Sequence, residues 1–293
     1  MAVALIFGIN GQDGFYLKKL LEKNLIQTIG ISRTNSEVIG DVGNYNFVLQ
    51  IIKKYNPHYI FNFAANSTVS HEEALENQNT ISHGTLNILE ASRICAPNVK
   101  IFIPGSAVQF KNENIPINEQ TIFDPNSIYS VARIQSVYLS RFFRDKFNLN
   151  VYVGYLFNHD SSLRSDRHVN MKIINFINNF TNRNVNNLQL GNIYNRKEFG
   201  FAGDIVDAIW KFVNQNEIFE IVIGTGKAYS IIDWLEISFS LINDDWTKYV
   251  VHENSSIHDE RILVSDPKKI NSIGWLPKID IHQLANIMYN NKI

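Results

Sequence analysis

The chain has a single cysteine, Cys95, among 293 residues. That excludes an internal disulfide and any cysteine-built metal cluster, and it suits a reducing, cytoplasmic setting. An excess of either charge is missing as well: 27 lysines and arginines face 28 aspartates and glutamates. Without a global field, neither nucleic acid nor an acidic membrane is an expected partner, and an anionic ligand has to be held by local groups. No apolar run approaches the roughly 18 residues of a membrane span. No basic leader precedes Val3-Ala4-Leu5-Ile6-Phe7, so no export signal is expected. The eight histidines fall at no metal-ligand spacing, and no metal is expected. Internal repeats, low-complexity tracts and obvious linkers are also lacking.

What is present suits a globular protein: 45% of residues are hydrophobic and 19% charged. The length allows one large α/β domain carrying a smaller lobe. Val3–Phe7 reads as a buried strand, followed by a glycine turn and a helix with Leu17, Leu20 and Leu21 on one face, ended by Asn24. Thr28–Ser32 reads as a second strand. Phe47, Ile51 and Ile52 mark a helix that Pro57 separates from a strand at Tyr59–Phe63. A further helix carries Leu86, Ile88 and Leu89, and a further strand spans Lys100–Ile103. Strands alternating with helices predict a parallel, doubly wound sheet of Rossmann type, covered on both faces. Beyond about Gly154 the pattern loosens and asparagines accumulate, as in a smaller C-terminal substrate-binding lobe over the carboxyl ends of the strands. The expected division gives residues 1–155 plus about 203–225 to the dinucleotide domain, and about 156–202 plus 226–293 to the lobe.

Gly8-Ile9-Asn10-Gly11-Gln12-Asp13-Gly14 has the spacing GxxGxxG between the first strand and the first helix. The first glycine permits the turn, the second admits a pyrophosphate to the backbone, and the third lets helix and strand pack closely. Strand, turn, helix and second strand all fall at the right distance for a nicotinamide dinucleotide. Gly8, Asn10, Gly11, Gln12, Asp13 and Gly14 are therefore expected cofactor residues. NAD-preferring folds carry an acid after the second strand. Here Ser32-Arg33-Thr34 stands there, and the Arg33 cation favours the 2′-phosphate of NADP, with NAD left open. Asp41 and Val42 are placed to meet the adenine, and Ala64 and Ala65 to allow close cofactor approach.

Ser106 follows the strand at Lys100–Ile103, and Tyr129 and Arg133 share a helix face at i,i+4. A phenol titrates near ~10, so acid–base work near neutrality needs a cation close by. Ser106 would orient a substrate oxygen that Tyr129 protonates or deprotonates.

With these residues the chain resembles an extended short-chain dehydrogenase/reductase, and within that class the GDP-mannose 4,6-dehydratase family. Four stretches carry the likeness: Gly8 to Gly14; Leu156-Phe157-Asn158-His159-Asp160-Ser161; Leu190-Gly191-Asn192; and Asp266-Pro267 through Gly274-Trp275-Leu276-Pro277. It extends over nearly the whole chain. The resemblance implies a nucleotide-sugar substrate, GDP-linked, with Asn158 on its phosphates. Arg164, Lys172, Arg196 and Lys197 would help to neutralise them. It also implies a homodimer paired through two helices.

Three departures redirect the functional reading. The family's catalytic lysine is Arg133, which keeps the charge but cannot relay a proton. The glutamate expected two places after the catalytic serine is Val108, or Gln109 in a shifted alignment, and neither is a base. The family's nucleotide-gripping Arg-Pro is Ser256-Ile257. Hydride exchange at C4 needs only Ser106, Tyr129 and the cofactor, whereas elimination of water needs the missing base. The expected function is thus an NAD(P)-dependent oxidoreductase on a nucleotide-activated sugar, at the 4-keto/4-hydroxyl position, in deoxysugar or polysaccharide precursor synthesis. The alternatives are a dehydratase drawing its base from Asp160 or Glu113, a 4-epimerase, and a catalytically silent dinucleotide-binding protein. His159 and the tryptophans are expected to serve packing and hydrogen bonding, and Cys95 to be inert.

Overall fold

The computed structural model describes residues 1–66, 68–179, 187–253 and 260–291. β1 (Val3–Phe7), α1 (Gln12–Lys23), β2 (Gln27–Ser32), β3 (Val38–Ile39), α2 (Tyr45–Tyr55) and β4 (Tyr59–Asn62) form the first half of the nucleotide unit. α3 (Ala74–Asn77) runs through a π-helical turn at Gln78–His83 into α4 (Gly84–Cys95), followed by β5 (Lys100–Ser106), α5 (Ile128–Phe147) and β6 (Asn150–Leu156). β7 (His159–Asp160), α6 (Val169–Asn178), β8 (Leu188–Leu190), β9 (Arg196–Glu198) and β10 (Gly200–Phe201) lead to α7 (Ala202–Val213) and β11 (Glu220–Ile223). The chain closes with β12 (Ala228–Ser230), α8 (Ile231–Ser240), β13 (Val250–His252), β14 (Ile262–Leu263), α9 (Lys268–Ser272) and α10 (Ile281–Tyr289).

Seven strands pair in the order β3-β2-β1-β4-β5-β6-β11, every pair parallel. The order reverses between β1 and β4, which opens a crevice outside their carboxyl ends. The central strands are unbroken apolar runs because both of their faces are covered. On one face Leu5, Ile29 and Ile101 pack against Val48, Ile52, Ile88 and Leu89 of α2 and α4. On the other, Ala4, Ile6 and Phe102 meet Leu17 and Leu21 of α1 and Ile205, Ile209 and Phe212 of α7. A third apolar cluster joins Ile173 and Ile174 of α6, Trp234 and Leu235 of α8, and Leu284 of α10. Trp234 and Trp275 are buried, and each indole donates to a backbone carbonyl, at 3.3 Å and 3.0 Å.

The asparagines serve the backbone. Among the described residues, six of the seven non-glycine positions with positive φ are asparagine, including Asn56 after α2 and Asn148 after α5. Asparagine tolerates the left-handed region better than most side chains, so it ends helices here where glycine often does. Ser127 starts α5, its hydroxyl accepting from Ser130 N–H at 3.1 Å.

The C-terminal part of α5 is fixed by one carboxylate. Glu220 of β11 accepts from Arg141 at 2.8 Å and 2.7 Å, from Arg144 at 3.0 Å and from the Tyr155 hydroxyl at 2.7 Å. Burial alone would raise its carboxyl, but the Arg141, Tyr155 and Arg144 hydrogen bonds outweigh burial and hold it at about 2. A depressed carboxyl stabilises the fold above its ordinary value of 4.5, and that contribution is lost as pH falls through about 2. Replacing Glu220 by Gln should cost about 3 kcal/mol at neutral pH, because it leaves two arginines half-buried without their anion. Urea unfolding measures this, and a cost below ~1 kcal/mol would assign the cluster no structural weight.

Candidate active site

The glycine turn is shaped by contacts that a side chain would destroy. Gly8 has φ +81°, and a Cβ there would lie 2.6 Å from the Ala64 nitrogen. A Cβ on Gly14 would lie 2.7 Å from both the Gly8 carbonyl oxygen and the Ile9 Cα. At Gly11 the backbone is open, since a Cβ would meet only the Gly8 oxygen at 3.4 Å. Gly11 is also the N-cap of α1 and offers no side chain to its first turn, which leaves those N–H groups for an anion. This cradle fits a dinucleotide pyrophosphate. Asn10 locks the turn to the loop after β2, donating to Ser32 Oγ at 2.8 Å and to the Thr34 carbonyl at 2.6 Å.

Two cavities open along this crevice and share Gly11, Phe63 and Ala65 in their walls. The smaller, about 240 Å³, is bounded by Gly8, Asn10, Arg33, Asp41, Val42, Ala64 and Thr80. The larger, about 500 Å³, is bounded by Gln12, Asp13, Ser106, Val108, Tyr129, Arg133, Asn158, His159 and Arg164. All the expected cofactor residues except Gly14, which is packed beneath the turn, thus line one cleft, and Ser106, Tyr129 and Arg133 line its wider end.

Ser106 ends β5, where its N–H donates to Gln109 Oε1 at 2.8 Å and its hydroxyl caps the short turn that follows. Tyr129 and Arg133, one turn apart on α5, are both buried. Arg133 Nε donates to the Tyr129 hydroxyl at 3.2 Å, and its Nη1 donates to the Pro104 carbonyl at 2.7 Å. The guanidinium therefore stands against the phenol oxygen. Val108 packs with Tyr129, Ala132 and Ile81, so the wall beside the tyrosine is apolar. Gln109 is fully buried, with its carbonyl on Ser106.

Asp13 is the one carboxylate among the described residues bounding the larger cavity. Asp160 lies outside that wall, buried and bonded to Asn170 and Arg164. Glu113 is exposed and paired with Lys111 at 2.6 Å. Neither alternative base reaches the cavity.

Gln12 and Asp13 bound the larger cavity and reach with their side chains to the segment after β6. Gln12 donates to the His159 carbonyl at 3.1 Å and accepts from Ser161 Oγ at 3.0 Å. His159 Nε2 lies 2.9 Å from Asp13 Oδ1, and Nδ1 lies 2.7 Å from the Phe157 carbonyl. Both partners are acceptors, so both ring nitrogens donate and the ring is an imidazolium. Burial opposes each charge, but the mutual attraction outweighs it: His159 is held above its ordinary value and Asp13 below. His168 is the reverse case. Burial and the Arg164 charge pull it down to about 4, and its Nδ1 accepts from Arg164 at 3.2 Å.

Of the expected phosphate ligands, Asn158 and Arg164 bound the cavity and Lys172, Arg196 and Lys197 do not. Lys172 falls on the exposed side of α6, between the buried Met171 and Ile173. Arg196 faces Glu260 at 3.6 Å and donates to the Ala228 carbonyl at 3.2 Å. Lys197 is half-buried with its ammonium 5.3 Å from the Phe199 ring, and burial lowers its value. Arg167 and His168, which sequence reasoning passed over, bound the cavity instead. Their signal was the basic run Arg164-Ser165-Asp166-Arg167-His168 shortly after the Leu-Phe-Asn-His segment. Ser256 and Ile257 lie outside the described residues.

Together the fold and the cleft define an extended short-chain dehydrogenase/reductase. A family described as GDP-mannose 4,6 dehydratase matches residues 5–288. The chain belongs to that family. A GDP-mannose 4,6 dehydratase of Drosophila melanogaster is 28% identical over 98% of this chain and 85% of its own length. The Homo sapiens enzyme of that name is 30% identical over 81% of this chain and 71% of its own. Among solved structures, UDP-glucose 4-epimerase from Thermotoga maritima superposes with a TM-score of 0.86 at 18% identity, covering 99% of each chain. RMD from Pseudomonas aeruginosa, complexed with NADPH, has a TM-score of 0.86 at 18% identity, covering 99% of this chain and 97% of its own.

The His159–Asp13 pair sets a pH window. Its contribution is full between the ordinary carboxylate value of 3.8 and the ordinary imidazole value of 6.5. It fades as pH rises through the raised His159 value and as pH falls through the lowered Asp13 value. Asp13→Asn should cost about 3 kcal/mol near pH 6, with a smaller gap to wild type on both sides. Urea unfolding against pH checks this, and a gap independent of pH would contradict it.

Proposed function

We propose that the protein is an NADP-dependent oxidoreductase acting at C4 of a GDP-linked hexose, with no elimination of water. The observation that carries the reading is Val108, an apolar side chain in the wall beside Tyr129. Elimination across C5–C6 needs a group that removes a ring proton, and loss of such a group costs ~10²–10⁴ in rate. Carbonyl–alcohol interconversion needs one proton moved at the sugar oxygen. Tyr129 hands its phenolic proton to that oxygen, Ser106 orients it, and Arg133 stabilises the phenolate that remains. A nicotinamide dinucleotide, when bound, supplies the hydride.

The substrate reading draws on the relatives' name and on the cations around the larger cavity. Arg133, Arg164, Arg167 and the His159 imidazolium outnumber Asp13 there, which suits a sugar diphosphate held by Asn158 and Arg164. Solved neighbours are described with NAD and with NADPH. Arg33 tips the choice to NADP here. The same reading makes the protein a cytoplasmic homodimer that pairs through α4 and α5, whose Ile94, Tyr138 and Phe142 are exposed. The family match favours a second reading, a GDP-mannose 4,6-dehydratase, against which Val108 stands.

Oxidation of NADPH by a GDP-4-keto-hexose, followed at the nicotinamide absorbance, tests the proposal. Tyr129→Phe should lower kcat by at least ~10³ with dinucleotide affinity nearly intact, and turnover within tenfold of wild type would overturn the assignment. Val108→Glu restores a carboxylate beside Tyr129 and should introduce detectable water loss from GDP-mannose. A variant that reduces the 4-ketone but forms no 6-deoxy product would remove Val108 as the reason elimination is absent.

A further inference from the structure

Arg33 does not stand free beside the smaller cavity. Its Nη1 donates to Glu76 Oε1 at 2.5 Å, and the same oxygen accepts from Thr80 Oγ1 at 3.0 Å. Glu76 comes from α3, far from β2 in the chain, so the acid is brought to the arginine by the fold. Thr80, which steadies it, bounds the cavity together with Arg33, Ser32 and Thr34.

NAD and NADP differ only at the adenosine 2′ position, a hydroxyl in one and a phosphate in the other. A guanidinium already facing a carboxylate has little net charge to offer. A 2′-phosphate must then displace that carboxylate from Arg33 or sit next to it, and both oppose binding. A 2′-hydroxyl meets no such opposition, and a carboxylate is an acceptor for it. In NAD-preferring folds an acid after β2 accepts that hydroxyl, and Ser32 stands at that place here.

We propose that Glu76 is the specificity-determining residue of the 2′ subsite. It moderates the phosphate preference that Arg33 confers, so that the protein favours NADP and still accepts NAD. This rests on the reading of Arg33 as the 2′-phosphate ligand. The side chains of Arg33 and Glu76 are 59% and 31% exposed, so the pair is worth little to the fold and its variants should melt as wild type does.

Calorimetric titration of the full chain with 2′,5′-ADP and with 5′-ADP tests this without turnover. Glu76→Gln should tighten 2′,5′-ADP about five- to tenfold and leave 5′-ADP unchanged or weaker, the size one charge near a surface carries. Arg33→Gln should weaken 2′,5′-ADP about tenfold and spare 5′-ADP. If Arg33→Gln weakens 2′,5′-ADP while Glu76→Gln leaves the ratio of the two Kd values as in wild type, Glu76 has no part in selection. Equal tightening of both ligands by Glu76→Gln would likewise overturn the proposal. If Arg33→Gln changes neither ligand, the Arg33 reading itself fails and takes the proposal with it.

Discussion

At Gly14 the backbone of α1 passes under the Gly8 carbonyl so closely that a methyl group there would lie 2.7 Å from that oxygen. The rest of the site depends on this approach. It brings the start of α1 to the end of β1, where uncapped N–H groups face the crevice left by the reversal of strand order. It also places Gln12 and Asp13 within hydrogen-bonding reach of His159 and Ser161, residues nearly 150 positions away in the chain. The turn that suits a dinucleotide is therefore bolted to the segment that bounds the larger cavity, and the bolt is a largely buried ion pair.

That pair also decides the chemistry left to the cavity. Asp13 is its one carboxylate among the described residues, and it is committed to an imidazolium with both ring protons engaged. His168 is held neutral with Arg164 on its Nδ1. On the proposed function, proton transfer at a bound sugar falls to Tyr129, with Arg133 against its oxygen. An apolar Val108 on the same wall is consistent with a site that moves one proton at a time.

Much of this was legible in the sequence because the signals were local. A strand, a GxxGxxG turn and an amphipathic helix read directly, as did Tyr129 and Arg133 one turn apart. Charge rows were less legible, since a basic side chain says nothing about which way its element faces. Lys172 turned outward by helical periodicity, Arg196 is taken up by Glu260, and Arg167 and His168 occupy the place beside Arg164 instead. Gln12 and Asp13 read as cofactor residues because they sit in the turn, but their bonds to His159 and Ser161, far along the chain, could not be read there. Glu76 was invisible for the same reason. Its meeting with Arg33 depends on how α3 and the π-helical turn return to the end of β2, a path that no sequence period encodes.

On the proposed function, this family member exchanges hydride at the sugar without removing water. Incubating the purified protein with GDP-mannose and oxidised cofactor, then reading the sugar by NMR, addresses it most directly. Carbon 6 should keep its hydroxymethyl group whatever the state of carbon 4. A 6-deoxy methyl signal growing with time, and absent with Tyr129→Phe, would contradict it.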